Sequence, residues 1–195
     1  MKPTGIILAG GKSSRMGQEK GLVELGGKRL IDIAIQNLSK VCDTILISSN
    51  SDSFNDTGFR VIEDVKPGIG PMGGLYSTLL ISQSNLNLVL SVDLPFVNEG
   101  LFKYLIECSK GFQAAVPWSG QEHFEPLCAC YDSSILPLME VSIASGNYKL
   151  PDLFRQIKIN PLPIEPHLPF FHEALFMNIN TKDDLIEAQK LLNSM

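Results

Sequence analysis

Residues 8–20 read LAGGKSSRMGQEK and follow the apolar run GIIL. Adjacent glycines permit close backbone approach and positive φ, and Lys12, Arg15 and Lys20 follow within ten residues, so the stretch has the chemistry of an anion-receiving loop. It is not a P-loop: GxxxxGK[ST] requires glycine five places before Gly11, where Ile6 stands. Nor is it a GxGxxG dinucleotide fingerprint, because Lys12 and Arg15 occupy the glycine positions. Two readings remain on spacing alone. Either the backbone N–H groups, with Arg15 and Lys20, neutralise a polyphosphate, or this is a plain glycine-rich βα turn with solvated cations.

Two further stretches carry chemistry. KPGIGPMGG (66–74) follows Asp64; Gly70, Gly73 and Gly74 let main chain approach a flat ligand such as a purine, and prolines stiffen the path. By composition it serves equally as a connection. SVDLPF (91–96) ends an apolar strand in Asp93 and is stopped by Pro95, which places a carboxylate where hard oxygens hold Mg²⁺ against phosphates, or where an aspartate simply caps a turn.

The elements that must position these loops alternate. Thr4–Leu8 is a continuous apolar run, and Leu30, Ile33/Ala34, Leu38 and Val41 recur at helical spacing. TILISS (44–49), RVIED (60–64) and LNLVLSVD (86–93) read as further strands, with a helix starting near Leu75 between the last two. Strand–helix alternation predicts an α/β, doubly wound, mostly parallel sheet with helices on both faces, whose ligands sit beyond the carboxyl ends of strands. Farther on, QAAVP (113–117) and LCACY (127–131) read as strands, the four prolines of 160–171 predict a loop, and NINTKDDLIEAQKLL predicts a terminal helix with Thr181 and Asp184 at capping-box spacing. No repeat or linker divides the chain, so residues 1–195 read as one domain.

A net charge of −5 argues against a bulk electrostatic grip on nucleic acid, and the apolar runs are too short to span a bilayer. Cys42, Cys108, Cys128 and Cys130 lack zinc-site CxxC pairs and read as reduced, mostly buried thiols of a cytoplasmic protein. His123, His167 and His172 lack helical ligand spacing and are not read as metal ligands. Trp118, Phe170 and Phe171 are read as core rather than as part of a site.

Taken together, in this order, the motifs resemble the molybdenum cofactor guanylyltransferases within the wider nucleotidyltransferase family. LAGGKSSRMGQEK is similar to that family's LAGGxSxRMGxxK signature, GPMGG to its base-binding loop, DLPF to its D-x-P metal motif and NINTKDDL to its N-x-N-T segment. The likeness spans residues 5 to about 188 and is weakest from Trp118 to Phe171. It implies a Rossmann-like nucleotide-diphospho-sugar transferase fold, with a nucleotide half at about 1–97 and an acceptor half at about 98–195. It further implies GTP and molybdopterin as substrates, Mg²⁺ as cofactor, and apo-molybdoenzymes or their chaperones as partners. The reaction implied is GMP transfer to the terminal phosphate of molybdopterin, with release of pyrophosphate. In that scheme Arg15, Lys20 and Asp93 are catalytic, and Asp93 holds the metal with help from Asn178 or Asn180. Leu8, Ala9, Gly10, Gly11, Lys20, Asn50, Asp64, Gly70, Gly73, Gly74 and Asp93 meet the substrates. The alternatives are cytidylyl transfer to molybdopterin, nucleotidyl transfer to another acceptor such as a sugar phosphate, or a non-catalytic nucleotide-binding regulatory module.

Overall fold

The computed structural model describes residues 2–10, 19–118 and 124–194. Its main sheet has seven strands: β1 (Thr4–Leu8), β4 (Thr44–Ser48), β5 (Arg60–Ile62), β6 (Leu86–Ser91), β7 (Ala114–Trp118), β8 (Cys128–Asp132) and β9 (Ile159–Pro163). They lie in the order β5-β4-β1-β6-β8-β7-β9, while β2 (Glu24–Leu25) and β3 (Lys28–Arg29) form a separate small hairpin. β8 is antiparallel to both its neighbours, and the other pairings of the main sheet are parallel. The expected doubly wound, mostly parallel sheet is therefore present, with one reversed strand.

All five residues of β1 are buried because helices cover both sides of the sheet, which is why its sequence is apolar throughout rather than alternating. Successive side chains still part to opposite faces. Ile7, Leu88 and Leu90 pack with α1 (Leu30–Leu38) and α3 (Glu99–Cys108), whereas Ile6, Leu8 and Val89 pack with α2 (Pro71–Ile81), α4 (Leu136–Ala144) and α5 (Leu150–Phe154). The last helix, α6 (Lys182–Leu192), begins with the anticipated capping box: Thr181 accepts from the Asp184 N–H, and Asp184 accepts from the Thr181 N–H.

Two local expectations are corrected. α2 begins at Pro71, not near Leu75, so PMGG forms its first turn. Proline at the first helical position loses no hydrogen bond, since that N–H has no partner inside the helix, and Gly70 at φ +66° turns the chain into it. The segment read as a proline-broken loop contains β9, paired in parallel with β7. Its prolines alternate, and it forms the outer edge of the sheet. Ile164 donates to Trp118 O across the ladder, so the positions that face β7 are the even ones. Pro161 and Pro163 fall at odd positions, where an edge strand loses nothing by lacking N–H groups.

Gly74 fixes how closely α2 approaches the sheet. A Cβ built there would overlap Ser48 Oγ and touch Leu8, so the helix lies against β4 and β1 only because position 74 has no side chain. Gly74→Ala is expected to destabilise the fold by about 1–3 kcal/mol through overpacking. Combining it with Ser48→Ala should recover part of that loss, and strict additivity in a denaturation double-mutant cycle would refute the contact.

All four cysteines are free, and Cys42, Cys128 and Cys130 are buried. Burial pushes the Cys42 thiol up to about 12 and raises the Cys128 and Cys130 thiols as well. An aromatic disulfide reagent at pH 8 is expected to titrate only Cys108 rapidly in native protein and all four thiols in denaturant. Fast reaction of more than one native thiol would contradict this packing.

Candidate active site

The chain runs outward from β1 to β4 and β5, then returns to place β6 on the other side of β1. Loops leaving β1, β4 and β6 therefore diverge at their carboxyl ends and open a crevice, the usual ligand position in such sheets. A cleft of about 560 Å³ lies here, lined by Leu8, Ala9 and Gly10 after β1, Ser48–Ser51 after β4, Asp64, Gly68, Gly70, Pro71 and Gly74 around the start of α2, Ser91, and Leu127. Its size suits a small-molecule substrate.

Lys20 Nζ lies 2.7 Å from Asp93 Oδ2 and 2.5 Å from Asn180 Oδ1, joining residues 160 positions apart; Lys20 follows Glu19 in the chain and Asp93 lies two residues after Ser91, and both Glu19 and Ser91 line the cleft. Each partner is set by its own backbone. Lys20 opens a short 3-10 turn, Lys20–Leu22, and Gly21 seats that turn against Phe54, where any Cβ would collide with the ring. Asp93 follows β6 in a tight turn: Val92 N donates to Leu8 O and Leu94 N to Ser91 O. Ile179 N donates to Asp93 O at 3.0 Å, which brings the 178–180 segment alongside. Asn180 is held by its own N–H, which donates to Asp184 Oδ2. That bond, with those from Thr181 and the nearby Lys20 charge, holds the Asp184 carboxyl below its ordinary range.

The second oxygen of Asp93, Oδ1, is buried without a hydrogen-bond partner among the described residues. Glu19 Oε2 is in the same condition nearby in sequence. Buried, unsatisfied carboxylate oxygens are costly unless something else supplies charge or protons. Among the described residues no cluster of three or more His, Cys, Asp and Glu side chains could hold a metal ion. Asp93 with the amide oxygen of Asn180 is nonetheless a hard, oxygen-only donor set of the kind Mg²⁺ uses when substrate phosphates and water complete its shell.

Within the cleft lining, Asn50 and Asp64 bond reciprocally: Asn50 Nδ2 donates to Asp64 Oδ2 at 3.0 Å, and Asp64 N donates to Asn50 Oδ1 at 2.7 Å. The pair ties the loop after β4 to the loop before α2. Ser77 reinforces it, accepting from Val65 N and donating to Gly73 O. Asp64 lines the cleft together with Asn50 and serines, and a carboxylate there has the polarity needed to accept from a base or ribose.

Of the residues singled out from the sequence, Leu8, Ala9, Gly10, Asn50, Asp64, Gly70 and Gly74 line the cleft, and Lys20, Asp93 and Asn180 meet one another without lining it. Gly73 does not line it. A Cβ there would run into Lys66 O and Ile69, so this glycine packs the 66–70 loop on α2. Asn178 is exposed, and its amide donates to Phe176 O rather than joining Asp93. Gly11, Arg15 and His123 lie outside the described residues. His167 pairs with Glu165, and His172 Nε2 lies 3.1 Å from Phe96 O. Phe170 packs on the Tyr104 ring. Sequence reasoning missed the serines after β4, Gly21 and Glu19. The serine run ending an apolar strand was a usable signal, whereas Gly21 acts through a contact that no local pattern displays.

Comparison with known proteins agrees with this geometry. Residues 5–160 match the model of the MobA-like NTP transferase domain. A probable molybdenum cofactor guanylyltransferase of Pelotomaculum thermopropionicum is 34% identical over 191 residues, covering 97% of this chain and 93% of the relative. The crystal structure of molybdopterin-guanine dinucleotide biosynthesis protein A from Archaeoglobus fulgidus superposes with a TM-score of 0.85 at 28% identity, over 98% of this chain and 100% of that one. A 4-diphosphocytidyl-2C-methyl-D-erythritol synthase from Anaerococcus prevotii, 18% identical, shares the fold alone, with a TM-score of 0.77 over 98% of this chain and 96% of that one. With a cleft at the switch point and a family match over most of its length, the chain belongs to the MobA-like NTP transferase family.

Proposed function

We propose that this protein transfers GMP from GTP to the terminal phosphate of molybdopterin, forming the guanine dinucleotide cofactor and pyrophosphate. The observation that carries the reading is the meeting of Lys20, Asp93 and Asn180, with Lys20 next to Glu19 and Asp93 two residues after Ser91, both of which line a cleft that also presents Asn50 and Asp64. A cleft with carboxylate and amide groups in its lining and a cation beside it suits a ligand that carries both a base and phosphates. The full-length likeness to a probable molybdenum cofactor guanylyltransferase supplies the identity of base and acceptor.

An oxygen of the acceptor phosphate attacks the α-phosphorus of GTP in line. The bond from that phosphorus to the bridging oxygen breaks, and the electron pair leaves with pyrophosphate. No covalent protein intermediate is required, so the protein's work is alignment and charge. Lys20, bonded to Asp93, and Arg15 are assigned to the phosphates. Asp93 and Asn180 would hold Mg²⁺, which when bound supplies charge to the transferring group and the departing pyrophosphate. Asp64 and the backbone of the 68–74 segment orient guanine or ribose. The whole chain acts as one domain, with nucleotide bound by about residues 1–97 and the acceptor by about 98–195. Among the described residues no helix is long and apolar enough to cross a membrane. Four free thiols fit the reducing cytoplasm, where apo-molybdoenzymes or their chaperones would receive the product.

Transfer of label from each α-labelled triphosphate to molybdopterin, with Mg²⁺, tests the assignment. GTP is expected to be the best donor. ITP, lacking only the 2-amino group, is expected to lose about 1–3 kcal/mol in kcat/KM if buried acceptors await that group. CTP outperforming GTP would replace guanylyl by cytidylyl transfer. Asp93→Asn is expected to lower turnover by orders of magnitude while metal-free GTP binding stays within a few-fold, and unchanged turnover would remove Asp93 from the mechanism.

A further inference from the structure

We propose that Lys20 occupies the seat of the divalent cation while no nucleotide is bound, so that metal and triphosphate binding are coupled through release of its ammonium group. The inference rests on the metal-holding role assigned above to Asp93 and Asn180, and it deepens that role.

Its basis is competition for the same oxygens. The ammonium of Lys20 sits 2.7 Å from Asp93 Oδ2 and 2.5 Å from Asn180 Oδ1, the two hard oxygens that the site offers a cation. A cation held by both Asp93 Oδ2 and Asn180 Oδ1 would take the two oxygens that Lys20 already holds. The side chains of Lys20 and Asp93 are only 23% and 11% exposed, which limits solvent screening between them. Two cations sharing one pair of oxygens would repel strongly at that distance. A divalent ion can settle there only when Lys20 leaves. The polyphosphate of an incoming nucleotide gives the ammonium another anionic partner, so nucleotide entry lowers the cost of vacating the seat.

The geometry has a direct consequence for affinity. In nucleotide-free protein the metal must displace a charge-assisted contact, and its binding is weak; with triphosphate present the contact is exchanged rather than lost. By linkage the nucleotide must be favoured by metal to the same degree, and such couplings are commonly on the order of ten-fold or more. Asp184 acts as a positioning residue here, because its bond to the Asn180 N–H fixes the residue that supplies the second oxygen.

The test is Mn²⁺ titration of the whole protein, with free Mn²⁺ read by electron paramagnetic resonance. It is run without nucleotide and with the α,β-methylene analogue of GTP, and corrected for Mn²⁺ held by the free analogue. Lys20→Met is expected to tighten nucleotide-free Mn²⁺ binding by on the order of ten-fold and to shrink the gain produced by the analogue. The tightening should persist in 0.5 M KCl, where the screening length is about 4 Å and only contact competition survives. Unchanged or weaker nucleotide-free binding by Lys20→Met overturns the proposal, as does a gain that vanishes in high salt. If Lys20→Met does not fold, Lys20→Leu, which likewise has no donor to offer Asp93, carries the same comparison with the same two outcomes. Asp93→Asn should abolish Mn²⁺ binding in both backgrounds. If wild-type protein with the analogue binds no Mn²⁺ that depends on Asp93, the metal site itself falls. If that binding is present but Lys20→Met shows no gain, only the coupling through Lys20 falls.

Discussion

The cleft exists because β1 is hydrogen-bonded on both sides, to β4 in one direction of the winding and to β6 in the other. α1, which joins β1 to β4, packs on one face of the sheet and α2, which joins β5 to β6, on the other, so the winding reverses at β1 and a concavity forms at the carboxyl ends of these strands. Everything assigned to chemistry hangs on this edge: Gly10 ends the backbone of β1 that faces the cleft, Ser48–Ser51 continue β4, and Asp93 follows β6. The covering helices make the sheet rigid enough for these loops to hold their positions.

Across that edge the ion pair of Lys20 and Asp93 does more to define the active arrangement than to stabilise the fold. Partly buried pairs lose hydration that their attraction only roughly restores, and an apolar replacement often costs little or nothing in stability. Asp93 also keeps one oxygen buried without a partner among the described residues. An arrangement tuned for stability alone would satisfy it. Its persistence at the mouth of a nucleotide-sized cleft is understandable if cation and phosphates take part in the satisfied state.

The C-terminal segment closes this constellation from the far end of the chain. Ile179 donates to Asp93 O, Asn180 meets Lys20, and Asp184 ties both Asn180 and Thr181 into the start of α6. The same helix reaches the small hairpin after Lys20, where Gln189 accepts from Gly26 N. α6 thus bridges the aspartate side and the lysine side of the site, so a helix boundary and a catalytic distance are governed by one capping motif.

Local chemistry was largely readable from the sequence alone. Adjacent glycines before cations, an aspartate ending an apolar run before Pro95, and threonine three places before Asp184 each announce a backbone conformation through short-range sterics or hydrogen bonding. Continuous apolar runs likewise announced a sheet covered on both faces. Contacts distant in sequence were decided only by the tertiary structure. That Lys20 points to Asp93 and Asn180 follows from how three connections converge, and the convergence leaves no mark in any single window. Gly73 and Gly74 look like ligand-facing glycines in a GPMGG string, yet packing against Lys66 O and Ser48 determines their need for no side chain. The reversed β8 and the proline-bearing β9 were hidden for a related reason. Strand direction and edge position are properties of the assembled sheet, and prolines that would break a central ladder are harmless where the odd-numbered N–H positions of the outermost strand face away from β7.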